Sequence, residues 1–199
     1  MTEASHTIAS NPLPPGRTIE GTVVFATGTE IQVVDEQGTG LSADEVGHII
    51  IRGPGLTAGY LENSAANADS FVDGWFKTGD LGALDDDGYL RLTGRAKELI
   101  IRGGESISPY EVEEALLSYA AVVDAVCFGI PDDKYGEEVG AAATVRAAAT
   151  ERELRAHCRA TLAAFKVPKR VRILDEILRT ATGKIQRRSM SSVVAGSNG

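Results

Sequence analysis

Apolar and polar positions fall in short runs along this chain, and the runs change character near its middle. Residues 30–34 (E-I-Q-V-V) and 47–52 (G-H-I-I-I-R) read as strands, separated by a loop rich in Gly, Asp and Ser. Asn63 or Ser64 offers an N-cap for a short helix reaching Phe71. Phe76, residues 81–84 and residues 89–92 are apolar stretches punctuated by glycines and by the acidic turn Asp85-Asp86-Asp87-Gly88. That pattern predicts antiparallel strands joined by tight hairpins. Residues 1–16 read as a polar loop closed by the turn signal Pro14-Pro15-Gly16, and residues 99–101 as one more short strand.

Beyond Gly94-Arg95, capped helices join the strands. Ser108-Pro109-Tyr110-Glu111 combines an N-cap residue, proline at the first helical position and the acidic partner of a capping box, which predicts a helix to about Tyr119. Thr150-Glu151-Arg152-Glu153 repeats the capping-box spacing and opens a helix to about Ala164. Residues 122–130, 139–145 and 171–174 read as strands, with Gly103-Gly104 as a connection, and residues 185–194 as a helix fraying into a Gly/Ser tail. The fold class that follows is α+β: a β-rich portion over residues 1–95, then a small α+β domain over residues 96–199.

Composition narrows the function classes. With 199 residues, 43% hydrophobic and 24% charged, the chain can bury a core without staples, which excludes wholesale disorder and a collagen-like fibre. Its two cysteines, Cys127 and Cys158, supply neither a disulfide framework nor zinc spacing, so a reduced, cytoplasmic setting is the default. No apolar run is long enough to span a bilayer, and the N-terminus lacks a signal-peptide pattern. A net charge of −8 argues against coating nucleic acid. That charge is a gradient, with 6 Lys and Arg against 15 Asp and Glu in residues 1–100, and 14 against 13 thereafter. From Lys166 onward 8 basic residues face only Asp175 and Glu176, which is either a solvated basic surface or a face for a small polyanion such as a nucleotide or coenzyme phosphate.

Four short motifs carry candidate chemistry, and each has a plain structural alternative. Asp80, behind Thr78-Gly79, can offer both oxygens to a pair of vicinal hydroxyls or simply serve a turn. Arg95, behind Gly94, can set a guanidinium on an anion. Gly103-Gly104 allows a backbone to approach a ligand closely, or is only a connection. Lys184, behind Thr182-Gly183, can be delivered to an anionic site by a moving loop, or be an exposed surface lysine.

Taken in order, the motifs make the chain resemble the adenylate-forming (AMP-binding) superfamily of acyl-CoA synthetases, luciferases and adenylation domains. Met1-Thr2-Glu3 is similar to the end of the Y-G-x-T-E motif, and G-W-F-K-T-G-D-L-G at 74–82 to the ribose-binding motif. G-R-A-K-E-L-I-I-R-G-G-E-S-I-S-P-Y-E-V-E at 94–113 resembles the hinge and the loop after it. P-D-D-K-Y-G-E-E-V at 131–139 and R-T-A-T-G-K-I-Q-R-R at 179–188 resemble the two motifs of the small C-terminal lid. Within the superfamily, M-T-E-A-S-H with S-N-P-L-P, R-G-G-E-S-I-S-P and A-A-F-K-V-P-K-R resemble oxalate–CoA ligases, although medium-chain fatty-acid and aryl-acid CoA ligases share most of these words.

The resemblance implies an ATP-dependent ligase that joins a small carboxylic acid to AMP and then transfers the acyl group to coenzyme A. It assigns Lys184 to the adenylation step and Glu3 to a Mg2+ ion on the triphosphate. Thr2 is assigned to the α-phosphate, with Asp80 and Arg95 on the nucleotide. Lys97 becomes the hinge, and Gly103 and Gly104 face the pantetheine arm of CoA. If oxalate is the acid, His6 is placed to donate to its second carboxylate, against the alternative of an incidental loop histidine. The resemblance further implies that these residues hold the end of a large domain of distorted β-barrel type plus the whole lid. The phosphate loop and most of the acyl pocket are then missing, so the piece by itself does not complete adenylation. Apolar surface left on residues 1–95 is expected to favour a homo-oligomer. Two other readings remain: an adenylation module of a peptide synthetase, and a non-catalytic remnant binding a partner or nucleotide weakly. Leu178 departs from the proline many relatives carry there, leaving Lys184 in register.

Overall fold

Apolar alternation organises both halves of the computed structural model, which describes residues 1–191 apart from His6, Pro14, Arg17, Glu20, Gly21, Val23, Val24, Arg188 and the side chain of Phe25. Contacts divide the chain into two units, Met1–Lys97 and Glu98 onward.

In the first unit, β1 (Ala9–Ser10), inside the stretch expected to be loop, forms a minimal antiparallel ladder with β2 (Phe25–Ala26). Two-residue strands have no period to read, so pairing alone reveals them. Next come β3 (Glu30–Val34), β4 (Gly47–Arg52), α1 (Ser64–Ser70), β5 (Phe71–Val72), β6 (Trp75–Leu84) and β7 (Leu90–Arg95). The sheet runs β3-β4-β6, with β5 and β7 sharing the other edge of β6. Val33, Ile49, Ile51, Phe76 and Leu90 fill its core. The Asn63 side chain accepts the Ala66 N–H at 3.1 Å, capping α1 as the sequence offers. Among the described residues of this unit, Val46, Leu61, Val72 and Leu92 remain exposed.

The second unit contains β8 (Ile100–Arg102), β9 (Glu105–Ile107), α2 (Pro109–Leu117), β10 (Val122–Asp132), β11 (Gly136–Val145), α3 (Glu151–Thr161) and β12 (Arg170–Ile173). β10 and β11 make a long hairpin; β12 lies parallel to one end of β11 and β8 antiparallel to the other. One face of this sheet packs Cys127, Val139, Ala141 and Ala143 against Val112 and Leu116 of α2 and Leu154 and Cys158 of α3. The other packs Val126, Phe128 and Ala142 against Ile177 and Met190. Burial on both faces explains why β10 reads as a continuous apolar run rather than an alternating one. Both thiols are free and buried, and burial raises their pKa values, that of Cys158 to about 11, so neither is a ready nucleophile. Among the described residues, no helix is long and apolar enough to cross a membrane.

The two capping boxes expected from sequence fare differently. At α3 the Glu153 N–H reaches Thr150 Oγ1 at 3.2 Å, and the Thr150 N–H reaches the Glu153 carboxylate at 2.8 Å. At α2 the Ser108 side chain makes no capping bond. Glu111 instead takes the Lys166 ammonium at 2.6 and 2.8 Å, a charged partner 55 residues away that outcompetes a local amide. α2 ends at Leu117 and α3 at Thr161, where the chain passes into a 3-10 turn over Ala164–Lys166. After Lys184 the Gln186 carbonyl accepts the N–H groups of Ser189 and Met190, starting the expected helix. Its expected end beyond residue 191 lies outside the described residues.

Candidate active-site residues in each unit

Asp80 lies within β6 rather than at a strand start, directly opposite Arg95 of β7. The Arg95 Nε donates to Asp80 Oδ1 at 2.6 Å, and Thr78 Oγ1 accepts the Asp80 N–H at 3.0 Å. Thr78 is itself tied to the Ile49 carbonyl of β4 at 2.9 Å. The two residues singled out separately in the sequence are thus one ion pair at the surface. The Asp80 carboxylate is held in place by a cation yet stays about one-third exposed, so a second donor can still reach it.

Thr2 stands exposed in the N-terminal turn, and Glu3 next to it is fixed twice. Its carbonyl accepts the Thr57 N–H at 2.8 Å, and Glu3 Oε1 accepts the Tyr60 hydroxyl at 3.0 Å. Tyr60 is clamped in turn, because the Asn67 side chain of α1 accepts its N–H at 2.7 Å and donates to its carbonyl at 3.0 Å. Its ring packs edge-on against Phe71. Burial first, and the bond to Glu3 second, raise the Tyr60 pKa, which keeps the phenol protonated and donating. Tyr60 gave no sequence signal, since 57 residues separate it from Glu3. Among the described residues no three metal-ligating side chains cluster. A single clamped carboxylate nevertheless fits an ion such as Mg2+, which takes most of its shell from phosphate oxygens and water.

Gly103 and Gly104 are a two-residue hairpin turn between β8 and β9, with φ of 59° and 91°. Positive φ at both central positions is the type I′ geometry, which glycine adopts without penalty. The Gly103 N–H donates to the Tyr135 carbonyl at 2.9 Å, and a Cβ on Gly103 would approach the Tyr135 ring at 3.1 Å. A Cβ on Gly104 would meet nothing within 4 Å. Gly104→Ala is therefore expected to cost about 1–2 kcal/mol from backbone strain alone. Thermal unfolding of the second unit checks this.

Beside the hairpin in the second unit, a groove of 550 Å3 is lined by Arg102, Arg155, Arg159 and Lys169 against Glu138, with Leu162, Ala164 and Val167 as its apolar part. Arg102 holds Glu138 through two bonds of 2.9 Å, and Lys169 reaches Asp132 at 3.0 Å. The bond from Arg102 depresses the Glu138 pKa, and that from Lys169 depresses that of Asp132. For a depressed carboxylate the stabilisation is complete above its unfolded pKa and is lost as pH falls through the folded value. Acid titration is expected to destabilise the second unit below about pH 4. In Glu138→Gln the pH dependence over that range should be flatter; equally steep acid curves would rule the pair out as its source.

Lys184 sits on a small hairpin of its own. Thr180 donates its N–H to the Lys184 carbonyl at 2.8 Å, and Thr180 Oγ1 accepts the Lys184 N–H at 3.1 Å. Gly183, with φ of 82°, closes the turn onto the Thr180 carbonyl at 2.9 Å. The backbone of Lys184 is fixed while its side chain is exposed. Arg179, one strand of this hairpin, donates to the Gly183 carbonyl at 3.0 Å and to Asp124 of β10 at 2.6 Å. Lys97 is exposed, in the single 3-10 turn Ala96–Glu98 that straddles the division between the units. His6 lies outside the described residues. Sequence reading also passed over Arg187 and Asp124, whose partners lie 55 to 89 residues away.

Residues 111–184 match the family of AMP-binding enzyme C-terminal domains. Among curated proteins, an oxalate–CoA ligase of Arabidopsis thaliana is 50% identical over 191 residues, covering 94% of this chain and 37% of that protein. An oxalate–CoA ligase of Saccharomyces cerevisiae is 44% identical over 202 residues, covering 100% of this chain and 37% of that protein. Among solved structures, ATP-bound MatB from Rhodopseudomonas palustris superposes with a TM-score of 0.89 at 32% identity, over 97% of this chain and 40% of that one. The chain thus spans little more than a third of the length of the curated relatives it matches.

Proposed function

The chain belongs to the adenylate-forming superfamily of acyl-CoA ligases, whose C-terminal portion it matches, and on that premise we propose that the whole protein makes an acyl-CoA, with oxalate as the acid. One observation supports the choice of acid: over nearly the same stretch of chain the oxalate–CoA ligase relatives are 50% and 44% identical, against 42% for a sulfoacetate–CoA ligase and 38–41% for 2-succinylbenzoate–CoA ligases.

In the first step a carboxylate oxygen attacks the α-phosphorus of ATP and the bond to pyrophosphate breaks, leaving an acyl-adenylate. Two anions must approach each other, so a cation between them lowers the barrier by offsetting their repulsion and the charge growing at the bridging oxygen. Lys184 supplies that cation from its exposed hairpin. Thr2 donates to the α-phosphate. Asp80 accepts from the ribose hydroxyls, with Arg95 beside it holding the carboxylate at the angle it already has. Glu3, oriented by Tyr60, would hold Mg2+, which when bound would neutralise charge on the triphosphate.

In the second step the CoA thiol attacks the acyl carbon and AMP leaves. Lys184 has to withdraw and pantetheine has to enter. The lid rotates about Lys97, since a few backbone angles suffice for such a change and the pivot need not be a small residue. The Gly104 tip, with open space where a side chain would stand, lets the pantetheine arm pass closely. The groove cations Arg102, Arg155, Arg159 and Lys169 suit the phosphates of CoA.

The test is a complete ligase carrying this chain, assayed with oxalate, a medium-chain fatty acid and an aryl acid. Oxalate is expected to be turned over at least tenfold better than the others, and His6→Ala to remove most of that preference. Equal turnover of the fatty acid ends the oxalate reading.

A further inference from the structure

Arg187 lies three positions beyond Lys184 and turns inward, its side chain only 19% exposed. Its guanidinium reaches three separate elements. Nε donates at 2.8 Å to Glu98, the last residue of the 3-10 turn that contains Lys97. Nη1 donates to the Cys127 carbonyl of β10 at 2.9 Å and to Glu113 Oε1 of α2, and Nη2 donates to Glu113 Oε2 at 3.1 Å. Glu113 in turn accepts the Cys127 N–H at 2.7 Å. A planar fork of N–H donors can serve several acceptors at fixed angles, which a lysine in this position cannot.

The Lys184 hairpin is consequently tied at both ends. Arg179 fastens its start to Asp124 of β10, and Arg187 fastens its end to α2, β10 and Glu98. The bond to Glu98 also fixes the far end of the 3-10 turn Ala96–Glu98. A backbone change at Lys97 is thereby confined to Lys97 and the residues before it.

We infer that Arg187 is a positioning residue which, through Glu98, makes the pivot and the Lys184 hairpin one rigid body. This rests on the reading of Lys97 as the hinge and Lys184 as the adenylation lysine. A lever delivers its tip accurately only if nothing yields between pivot and tip, and a misplacement of about 1 Å at a reacting centre can lower the rate about a hundredfold. Arg187 touches no substrate in this scheme; it acts through Lys184.

The test uses Glu98→Ala, which removes one arm of the fork at a partly exposed carboxylate and leaves the buried Glu113 pair intact. In the complete ligase, kcat for ATP–pyrophosphate exchange is expected to fall about fivefold or more, with KM for ATP unchanged. Transfer to CoA from a supplied acyl-adenylate should stay within twofold. In the 199-residue chain the same substitution should speed hydrogen exchange at the Lys184 and Gln186 amides at least threefold. The β10 and β11 amides should keep their protection, which separates loosening of the hairpin from general unfolding. Arg187→Lys, if it folds, should reproduce the loss of pyrophosphate exchange despite keeping the charge. Unchanged Lys184 and Gln186 amides, or equal losses in both half-reactions, overturn the inference. A wild-type ligase with no pyrophosphate exchange overturns the ligase reading itself, and is recognised before any variant is made.

Discussion

Replacing Lys184 with alanine is expected to lower acyl-adenylate formation by the complete ligase about 100- to 1,000-fold, the loss typical of removing one electrostatic stabiliser of a developing charge. Transfer of a supplied acyl-adenylate to CoA should be little changed, because that step needs the lysine elsewhere. The split is a clean test because the hairpin survives the substitution. Its bonds run through the backbone of Lys184, the hydroxyl and N–H of Thr180 and the left-handed Gly183, none of which involves the ammonium group. The side chain is exposed, so the melting temperature should move little. Lys184→Arg should recover only part of the rate, since a guanidinium is wider and planar where a compact point charge is wanted. Pyrophosphate exchange and single-turnover thioester formation measure the two halves. If both fall together, Lys184 is not an adenylation residue.

Arg187→Leu is expected to destabilise the second unit by about 3–5 kcal/mol, a large share of the usual stability of a domain. The cause is what it leaves behind. Glu113, with its side chain 8% exposed, would keep a buried carboxylate whose cation has gone. The double variant Arg187→Leu with Glu113→Leu should recover much of the loss, because two apolar side chains of similar bulk need no pairing. The chain's one tryptophan, Trp75, lies in the first unit, so its fluorescence follows that unit alone. Circular dichroism follows both. The urea transition seen by circular dichroism should shift while the fluorescence transition stays. A double variant no better than the single one would assign the loss to packing rather than to the stranded charge.

Local signals in the sequence were reliable where no distant group competed with them. The runs at 30–34 and 47–52 became β3 and β4 because their apolar positions supply a face to bury, and the Asn63 and Thr150 caps formed because each depends on atoms within a few residues. Ser108 and Glu111 carried the same cap signature and did not use it. A lysine from the far end of the same unit claimed the carboxylate. β9 was missed because Glu105-Ser106-Ile107 has a single apolar position and exists as a strand only through its ladder with β8. Gly103-Gly104 looked like a plain connection for the same reason; two positive φ values appear only once both strands are paired.

The candidate site divides along the same line. Thr2, Glu3, Asp80, Arg95, Lys97, Gly103, Gly104 and Lys184 could each be named as candidates through the motifs that resemble the superfamily, since such motifs are written in residue identity. Their partnerships could not. The register of β6 and β7 turns Asp80 and Arg95 into one ion pair. Folding brings Tyr60 onto Glu3 and carries Arg187 across 89 residues to Glu98. Sequence alone determined the α+β class and the superfamily, and it nominated the candidate site residues, because period, caps and motif order are local properties of the chain. Only the tertiary structure decided which carboxylate meets which cation. A charge pairs with whatever the fold places within about 3 Å of it, however far apart the two lie in sequence.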